Sequence, residues 1–564
     1  MARRMSHLLV RVPLSSCSVP AVPNVPGSGA VPWMPLETAR SWMRHSRSSR
    51  LLLAAVLVTA GLSGAVLSPS AASAAPATGR VVWKPCGDKG AECGTVAVPV
   101  DWASPGGAKV ELALSRRRAT RPASRIGSLV LNPGGPGGAG AEWVRDSARP
   151  LATAAVAERF DLVGFDPRGV GASSPITCDK KLYPEPEPPT NAAEFAKVAE
   201  RNRALAQDCR RRTGPLFDHV DNLAVARDIE AVRAALGDEK LTFLGYSYGT
   251  FMGQQYAELF PGRVRALVLD GNMDHSLPTA WDFMRTETVA AELNFVAFAN
   301  WCDSQRGCAL HGRDTRKVYA GLREKARSGK LTDPKTGERI GFYRLAETAF
   351  FGAVEPASED PAGGWAGLAR ELKRLSTGDR SVPVGIESAT VSRTKTVSDP
   401  FQAMFCQDWR IRIRDYAEWQ TMVNRLATVA PNLQWTAYNR FLLSCTGYPG
   451  PTTNPQRPLR IKGAPPLVMV GNTYDYATTY EWTRTAAQQS GAVLLTYQGF
   501  GHTAYVSSGS ACVDRPLDAY LISLKVPARG ISCPGLEKPG ARRAGGRPLP
   551  PVAAPWAWSG LAGS

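Results

Sequence analysis

The chain has 564 residues, of which 44% are hydrophobic and 21% charged, fractions that argue against a mainly disordered or collagen-like protein. Its formal net charge is +18, but residues 1–74 alone hold seven arginines against a single glutamate. The other basic residues are scattered and form no single patch, so we expect no nucleic-acid partner. Because no C-x-x-C and no pair of histidines four residues apart occurs, we expect no metal site and no cofactor.

Residues 1–74 have the organisation of an export signal. Residues 44–50 are basic, residues 51–67 are apolar, and the small-residue pattern Ala-Ser-Ala follows at 72–74. We therefore expect cleavage after Ala74, a secreted, extracellular product and no membrane anchor after cleavage. A transmembrane helix is the alternative, but the apolar run falls short of the roughly 20 residues needed and contains two glycines. The residues ahead of Met43 are foreign to such a signal, which favours a translation start at Met43.

Ten cysteines follow this segment, an even number in an oxidising compartment. They lie in neighbouring pairs along the chain, which predicts five local disulfides; a catalytic cysteine is the competing interpretation. The predicted pairs are Cys86–Cys93, Cys178–Cys209, Cys302–Cys308, Cys406–Cys445 and Cys512–Cys533.

From residue 75 to 275, apolar runs alternate with helical stretches, the pattern of βαβ units and a parallel sheet. Near-continuous apolar runs are what strands buried on both faces require. The predicted strands of this part are 126–131, 160–165, 241–245 and 264–269, and the predicted helices include 222–236 and 250–260.

The pattern changes at residues 276–455, where longer amphipathic helices such as 279–301 and 362–375 are predicted. The α/β rhythm returns at 456–536, with strands at 466–471 and 492–497 around a helix at 479–489. We therefore predict one α/β core, 75–275 and 456–536, interrupted by a helical cap insertion at 276–455. The last segment, 537–564, is rich in Gly, Pro and Ala and is predicted to be disordered.

The sharpest motif is the sequence GYSYG at 245–249, a G-x-S-x-G between a predicted strand and a predicted helix. Such a turn exposes the hydroxyl of a nucleophilic serine, here Ser247. A serine needs a base oriented by a carboxylate, and in this fold the order is serine, acid, histidine. His502 follows the last predicted strand, and Asp475 follows the strand before it. Asp408 and Asp514 are alternative acids that follow no predicted strand.

A glycine-rich loop, NPGGPGGAG at 132–140, directly follows a predicted strand. Glycines let backbone amides approach a substrate oxyanion, and we expect the amides of Tyr248 and of Gly134 or Gly135 to do so. Residues 135–140 also match G-x-G-x-x-G, with Asp161 about 20 residues on, so a dinucleotide-binding oxidoreductase is an alternative. The amide lost at Pro136, the export signal and the otherwise unexplained Ser/Asp/His set count against it.

A second dense motif, DPRGVG at 166–171, also follows a predicted strand. Its Asp166 and Arg168 are candidates for catalysis. An aspartate and an arginine this close to a strand end usually fix the turn by hydrogen bonds, so we predict that both are structural.

Taken in order, these motifs resemble the secreted α/β-hydrolases of the tripeptidyl aminopeptidase family, relatives of the prolyl aminopeptidases. The resemblance rests on the Cys86/Cys93 region with VPVD, then NPGGPGGAG, GFDPRGVGAS, GYSYGT, LDGNMD at 269–274 and GFGHT at 499–503. It implies an α/β-hydrolase fold and a serine exopeptidase that releases short peptides, tripeptides in this family, from free N-termini. Ser247, Asp475 and His502 would be its nucleophile, acid and base. The acid loop departs from the family pattern D-P-x-T-P, because it reads DYATT at 475–479.

The partners that the resemblance implies are peptide substrates with free N-termini, and we expect a monomer. An exopeptidase of this kind needs a group that binds the substrate's α-ammonium, and buried carboxylates suit that task. The candidates in the helical insertion are Glu287, Glu292 and Asp408. A prolyl aminopeptidase-like enzyme and a secreted esterase would use the same triad, and both remain alternatives.

Overall fold

The computed structural model describes residues 79–182, 187–357, 363–381 and 396–537. The expected export signal, the Met43 start and the tail beyond residue 537 lie outside the described residues. None of the described helices combines the length and the apolar character needed to cross a membrane.

Ten strands form one sheet in the order β1-β2-β3-β5-β4-β7-β8-β10-β11-β12, and the short β6 and β9 pair separately. From β5 to β12 in that order, neighbouring strands are parallel, while β1, β2 and β3 add an antiparallel edge. This confirms the predicted α/β class with a mostly parallel sheet. The strands are β1 (Lys84–Cys86), β2 (Ala91–Pro99), β3 (Lys109–Arg117), β4 (Gly127–Asn132), β5 (Phe160–Phe165), β6 (Thr177–Asp179), β7 (Leu241–Tyr246), β8 (Val264–Asp270), β9 (Thr396–Ser398), β10 (Val468–Tyr474), β11 (Val493–Phe500) and β12 (Ser532–Pro534).

Helices cover both faces of the sheet. In β4, Val130 belongs to one hydrophobic cluster while Leu129 and Leu131 belong to another, as expected for a strand buried on two sides. The helices are α1 (Gly140–Asp146), α2 (Ala154–Ala157), α3 (Ala192–Thr213), α4 (Asn222–Leu236), α5 (Tyr248–Leu259), α6 (Ala280–Ser304), α7 (Thr315–Arg327), α8 (Phe342–Ala353), α9 (Gly364–Thr377), α10 (Phe401–Asp408), α11 (Tyr416–Val429), α12 (Arg440–Leu443), α13 (Tyr480–Ser490) and α14 (Ala511–Ser523).

The helices α6 to α12 lie between β8 and β10 in the chain, and α6 to α9 supply most of a third hydrophobic cluster. Tyr476, in the loop after β10, is buried in this cluster, and Phe500, the last residue of β11, packs against it. Trp365 of α9 meets Phe500 edge to face, with ring centroids 5.2 Å apart. The helical segment therefore packs directly on the loops that carry Asp475 and His502.

One connection was not anticipated from the sequence. Helix α3 belongs to the first core segment in the chain, yet Asn202 Nδ2 donates to the carbonyls of Leu443 and Thr446, beside α12. In addition, β6 pairs with β9, which lies just ahead of α10. The segment around α3 is thus bonded to the helical insertion.

All five predicted disulfides are present: Cys86–Cys93, Cys178–Cys209, Cys302–Cys308, Cys406–Cys445 and Cys512–Cys533. Each closes a loop of fewer than 40 residues, as the neighbouring positions in the sequence indicated. The last of them ties α14 to the edge strand β12.

The DPRGVG motif has the structural role that its position predicted. Arg168 is fully buried and makes a bidentate pair with Asp228 of α4, at 2.6 and 2.7 Å. It also donates to the carbonyls of Pro99, Val100 and His219. Asp166 accepts hydrogen bonds from the amides of Ala141 and Ala172, at the start of α1 and in the following turn.

Replacing Asp228 with alanine leaves the buried Arg168 without its counter-charge. We expect Asp228→Ala to lower the free energy of unfolding by about 3–5 kcal/mol, measured by chemical denaturation. The control is Arg414→Ala, which breaks an exposed pair with Glu418 and should change stability little. Equal stability of the Asp228 variant and the unchanged protein would contradict this assignment.

Candidate active site

Ser247 occupies a sharp turn between β7 and α5. Its backbone has φ 54° and ψ −126°, a strained conformation for a residue with a side chain. The flanking glycines are required by close contacts: a β-carbon at Gly245 would lie 2.6 Å from the Gly249 carbonyl, and one at Gly249 would lie 2.5 Å from Asn132 Oδ1. This is the strand–turn–helix geometry that places a serine hydroxyl at the top of a parallel sheet.

The base and the acid meet on the loops after β11 and β10. His502 Nδ1 lies 3.0 Å from both carboxylate oxygens of Asp475, whose side chain is fully buried. Burial lowers the pKa of His502, but the charge and hydrogen bond of Asp475, with a smaller contribution from Asp270, outweigh burial and raise it. With Nδ1 bonded to Asp475, the neutral ring keeps Nε2 as its proton acceptor.

The acid loop, which lacks the prolines of the family pattern, is held by hydrogen bonds to the carboxylate. Asp475 Oδ1 accepts hydrogen bonds from the amides of Ala477 and Thr478, both at 2.9 Å. Thr478 Oγ1 lies 3.3 Å from Asp475 Oδ2 and 3.4 Å from His502 Nδ1. Backbone amides and one hydroxyl therefore orient the carboxylate towards the imidazole.

The glycine-rich loop after β4 lies against the nucleophile turn. A β-carbon at Gly134, whose φ is +99°, would lie 2.8 Å from Ser247 Cβ and 3.0 Å from Tyr248 N. The Gly134 amide already donates to Asn132 Oδ1 at 2.9 Å. Within the described residues no hydrogen bond engages the amides of Gly135 or of Tyr248, the first residue of α5. These two amides remain available to an oxyanion.

Ser247 and His502 converge on the residues at the end of β8. The Ser247 amide donates to the Asp270 carbonyl at 3.0 Å, and a β-carbon at the next residue, Gly271, would lie 3.1 Å from His502 Cε1. In the described part of the chain, no hydrogen bond joins Ser247 Oγ to His502. Such bonds are often long in unliganded enzymes and shorten when substrate binds.

Two family models match the chain: one described as alpha/beta hydrolase fold, over residues 127–299, and one described as TAP-like protein, over residues 431–533. The serine protease Hip1 of Mycobacterium tuberculosis (strain ATCC 25618 / H37Rv) is 34% identical over 537 residues, covering 87% of this chain and 99% of Hip1. The tripeptidyl aminopeptidase of Streptomyces lividans is 32% identical over 486 residues, covering 82% of this chain and 88% of that protein. The chain belongs to the tripeptidyl aminopeptidase family of α/β-hydrolases.

This family member is thus a serine hydrolase of the peptidase type. Another relative, carboxylesterase B of Mycobacterium tuberculosis (strain ATCC 25618 / H37Rv), is 32% identical over 534 residues and covers 88% of this chain and 99% of its own. The family therefore includes proteins named for peptide and for ester hydrolysis.

The three carboxylates considered for the substrate ammonium occupy different settings in this tripeptidyl aminopeptidase relative. Glu292 is fully engaged, since it accepts from both nitrogens of Asn432 and from the Leu433 amide. Asp408 is enclosed by polar donors, which are Asn222 N, Asn222 Nδ2, Tyr248 Oη and Asn454 Nδ2, and burial raises its pKa to about 8.

Glu287 of α6 differs from the other two. It is 1% exposed, and its Oε2 is buried without a hydrogen-bond partner among the residues that the structure describes. Burial, and then the charge of Asp475, raise its pKa well above the ordinary value. Within the described structure, Glu287 is therefore a buried, unpaired carboxyl group beside Asp475.

Two tyrosines of this region were not identified from the sequence. Tyr476 stands where the family pattern has proline, and its ring centroid is 6.1 Å from that of His502. The ring centroids of Tyr438 and Tyr476 are 6.5 Å apart. Burial raises the pKa of Tyr438, and the charges of Tyr476, Glu287 and Asp475 raise it further. Their contacts join segments far apart in the chain, so no local pattern indicated them.

Asp514, an alternative acid, and Asp161, the residue of the dinucleotide alternative, both make hydrogen bonds away from His502. Asp514 accepts from the Val506 amide, and Asp161 from the Ala119 amide and Arg125. Asp161 pairs in register with Ser128 near the start of β4, whereas the glycine loop follows the end of that strand. Asp161 therefore lies near the amino end of β5, whereas the glycine-rich loop lies at the carboxyl ends of the strands. Among the described residues, no group of three or more His, Cys, Asp or Glu side chains is arranged to hold a metal ion.

A cavity of about 970 Å³ lies next to the acid loop. Leu293 of α6, Arg484 of α13 and Leu494 of β11 line it, and Asp475 borders it. Neither Ser247 nor His502 is part of its lining, so this cavity is not where a scissile bond would meet the serine.

Replacing Asp475 with asparagine keeps the shape of the side chain but removes the charge that supports the protonated imidazole. We expect Asp475→Asn to lower kcat by about 10³–10⁴-fold, measured with a chromogenic peptide substrate. Asp514→Asn, which changes another carboxylate of the same half of the chain, should retain nearly full activity. Comparable losses in the two variants would overturn the assignment of the acid.

Proposed function

We propose that this chain is a secreted serine exopeptidase that releases tripeptides from the free N-termini of peptides and proteins. The observation that carries the proposal is the buried, unpaired Glu287 beside Asp475, on the helical segment that packs over the catalytic loops. The name of the Streptomyces lividans relative supports the release of three residues. The five disulfides support an oxidising, extracellular compartment.

In the first step, His502 Nε2 removes the hydroxyl proton of Ser247 while Oγ attacks the scissile carbonyl carbon. Asp475 holds the Nδ1–H tautomer and stabilises the imidazolium that forms. The imidazolium then gives its proton to the leaving amine, and the C–N bond breaks to leave an acyl-enzyme. Water attacks this ester by the same route in reverse and regenerates the serine.

The negative charge of the tetrahedral intermediate falls on the former carbonyl oxygen. The amides of Tyr248 and Gly135 are placed to receive it, because one begins helix α5 and the other lies in the loop packed against Ser247. The Gly134 amide does not take part, since Asn132 Oδ1 already occupies it. One such donor contributes about 10²–10³-fold to turnover.

Selection of a free N-terminus follows from the setting of Glu287. A buried carboxyl group without a partner is costly in its charged form, which is why burial raises its pKa. An α-ammonium group supplies both a counter-charge and hydrogen-bond donors, so its arrival favours the ionised glutamate. A blocked N-terminus offers neither, and it would leave the carboxyl group unsatisfied.

An esterase is the second candidate function, and the relative named carboxylesterase B favours it. A prolyl aminopeptidase-like enzyme is a further variant of the peptidase proposal. All three would use Ser247, Asp475 and His502, and they differ in what is released and in whether a free amine is needed.

The products from a series of unblocked peptides of increasing length distinguish these candidates. We expect mass spectrometry to find tripeptides released in succession from the N-terminus, and no release from the same peptides after acetylation. Ser247→Ala is the control and should release nothing while unfolding at an unchanged temperature. Release of single residues would favour the prolyl aminopeptidase variant. Hydrolysis of p-nitrophenyl esters without any peptide cleavage would favour the esterase.

Removing the charge of Glu287 tests how the free N-terminus is recognised. We expect Glu287→Gln to lower kcat/KM for tripeptide-p-nitroanilides with free N-termini by about 10–100-fold, the value of one charge-assisted hydrogen bond. Hydrolysis of a p-nitrophenyl ester, which carries no amine, should stay unchanged.

The matched control is Glu292→Gln, which changes a buried glutamate on the same helix whose oxygens are already engaged. It should alter stability more than the preference for free over blocked N-termini. If both glutamine variants discriminate free from blocked substrates as well as the unchanged enzyme does, Glu287 has no part in selection.

A further inference from the structure

Asp270 lies between the nucleophile and the base in the structure, although no motif of the catalytic set includes it. It is the last residue of β8, the strand beside β7, and is fully buried. Its backbone carbonyl accepts a hydrogen bond from the Ser247 amide at 3.0 Å, so the Asp270 backbone helps to fix the turn that carries Ser247.

The side chain of the same residue reaches the histidine loop. Asp270 Oδ2 accepts hydrogen bonds from the amides of Ala504 and Tyr505, at 2.9 and 2.8 Å. These two residues follow His502 by two and three positions. A single residue therefore joins the turn that carries Ser247 to the loop that carries His502, across more than 230 positions of sequence.

The second oxygen, Oδ1, is buried and has no hydrogen-bond partner in the described structure. A carboxylate with one unpaired oxygen in the interior is unfavourable, and an asparagine could accept the same two amides without a charge. The fold nevertheless has a carboxylate here, and no arginine or lysine pairs with it in the described residues. Burial raises the pKa of Asp270 to about 7, whereas its two amide hydrogen bonds and the His502 ring, the nearby group that can become positive, favour the ionised form.

The groups that face Asp270 come from each neighbouring element. They are His502 and Tyr505 of the histidine loop, Asp475 of the acid loop and Tyr246 of β7. Asp514 of α14 also interacts electrostatically with Tyr246. The charges of Asp270 and Asp475 both favour protonation of His502, and they disfavour each other. The imidazolium of the transition state is thus supported by two carboxylates, only one of which is bonded to the ring.

We propose that Asp270 is a positioning residue that fixes the His502 loop relative to Ser247 and whose negative charge stabilises the imidazolium formed during the reaction. The inference rests on the assignment of Ser247 as the nucleophile and His502 as the base. It does not depend on which peptide is released or on how a free N-terminus is bound.

The test compares the pH dependence of kcat/KM for p-nitrophenyl acetate in the unchanged enzyme and in Asp270→Asn. The amide can keep both hydrogen bonds to the loop but carries no charge. Since a negative neighbour raises the pKa of an imidazole, its removal makes His502 a base at lower pH. We expect the acid limb to move measurably to lower pH, with activity at the plateau reduced several-fold.

The matched control is Asp161→Asn, which changes another buried strand carboxylate bonded to a backbone amide, near the amino end of β5. It should leave the acid limb in place, whatever its effect on the unfolding temperature. Asp270→Ser, a smaller uncharged replacement, should move the limb in the same direction as Asp270→Asn. Asp270→Glu, which restores the charge, should return it towards its original position.

An unmoved acid limb in a folded Asp270→Asn or Asp270→Ser enzyme would overturn the proposal, even if activity fell, because that result describes a purely structural role. Ser247→Ala, assayed with the same ester, separates this outcome from failure of the triad. Retained hydrolysis in Ser247→Ala would refute the nucleophile. Its loss, together with an unmoved limb, would refute the role of Asp270 alone.

Discussion

The site depends on one constraint of the sheet: adjacent parallel strands end at the same edge, so the loops that follow them meet. β4, β7, β8, β10 and β11 are consecutive neighbours in the sheet although β7 and β10 are separated by more than 200 residues of sequence. The ends of these strands and the loops after them carry the proposed oxyanion amide, the proposed nucleophile, Asp270, and the proposed acid and base, in that spatial order. The pairing of the strands thus brings the residues of the proposed triad to one end of the sheet.

The interior around this edge contains several carboxyl groups in contrasting settings. Asp475 accepts hydrogen bonds from backbone amides and faces the imidazole. Asp408 accepts hydrogen bonds from four donor atoms. In the described part of the chain, Asp270 and Glu287 each have one buried oxygen without a hydrogen-bond partner. A folded chain tolerates such groups where they meet a positive charge during function, and both lie beside the catalytic pair. In the proposed mechanism, Asp270 meets the imidazolium and Glu287 meets the substrate's ammonium.

Much of the fold followed from local patterns. The strand at 160–165 and the helix at 222–236 were predicted to the residue, because an Asp-Pro ends the first, and Asp221 and Gly237 cap the second. The predicted helix at 250–260 begins earlier, at Tyr248, because the turn at Ser247 leads directly into it. The antiparallel strand β3 was missed, since its alternation includes charged residues and gives no continuous apolar run.

The site was predictable to the extent that motifs carry it. Ser247, Asp475 and His502 were selected by order and by strand position, which local sequence reveals. Three features depend on contacts between distant segments and were out of reach: the occupied Gly134 amide, the unpaired oxygen of Glu287 and the link from Asp270 to Ala504. The packing of α3 on the helical insertion is of the same kind.

The most direct test of the catalytic assignment is to find which atom of the enzyme becomes acylated. A fluorophosphonate reacts only with a serine that is activated by a base, and peptide mass spectrometry locates the adduct. We expect a single adduct on Ser247, formed rapidly in the unchanged enzyme and lost or greatly slowed in His502→Ala and Asp475→Asn. An adduct on another residue, or undiminished labelling of Ser247 in His502→Ala, would contradict the assignment.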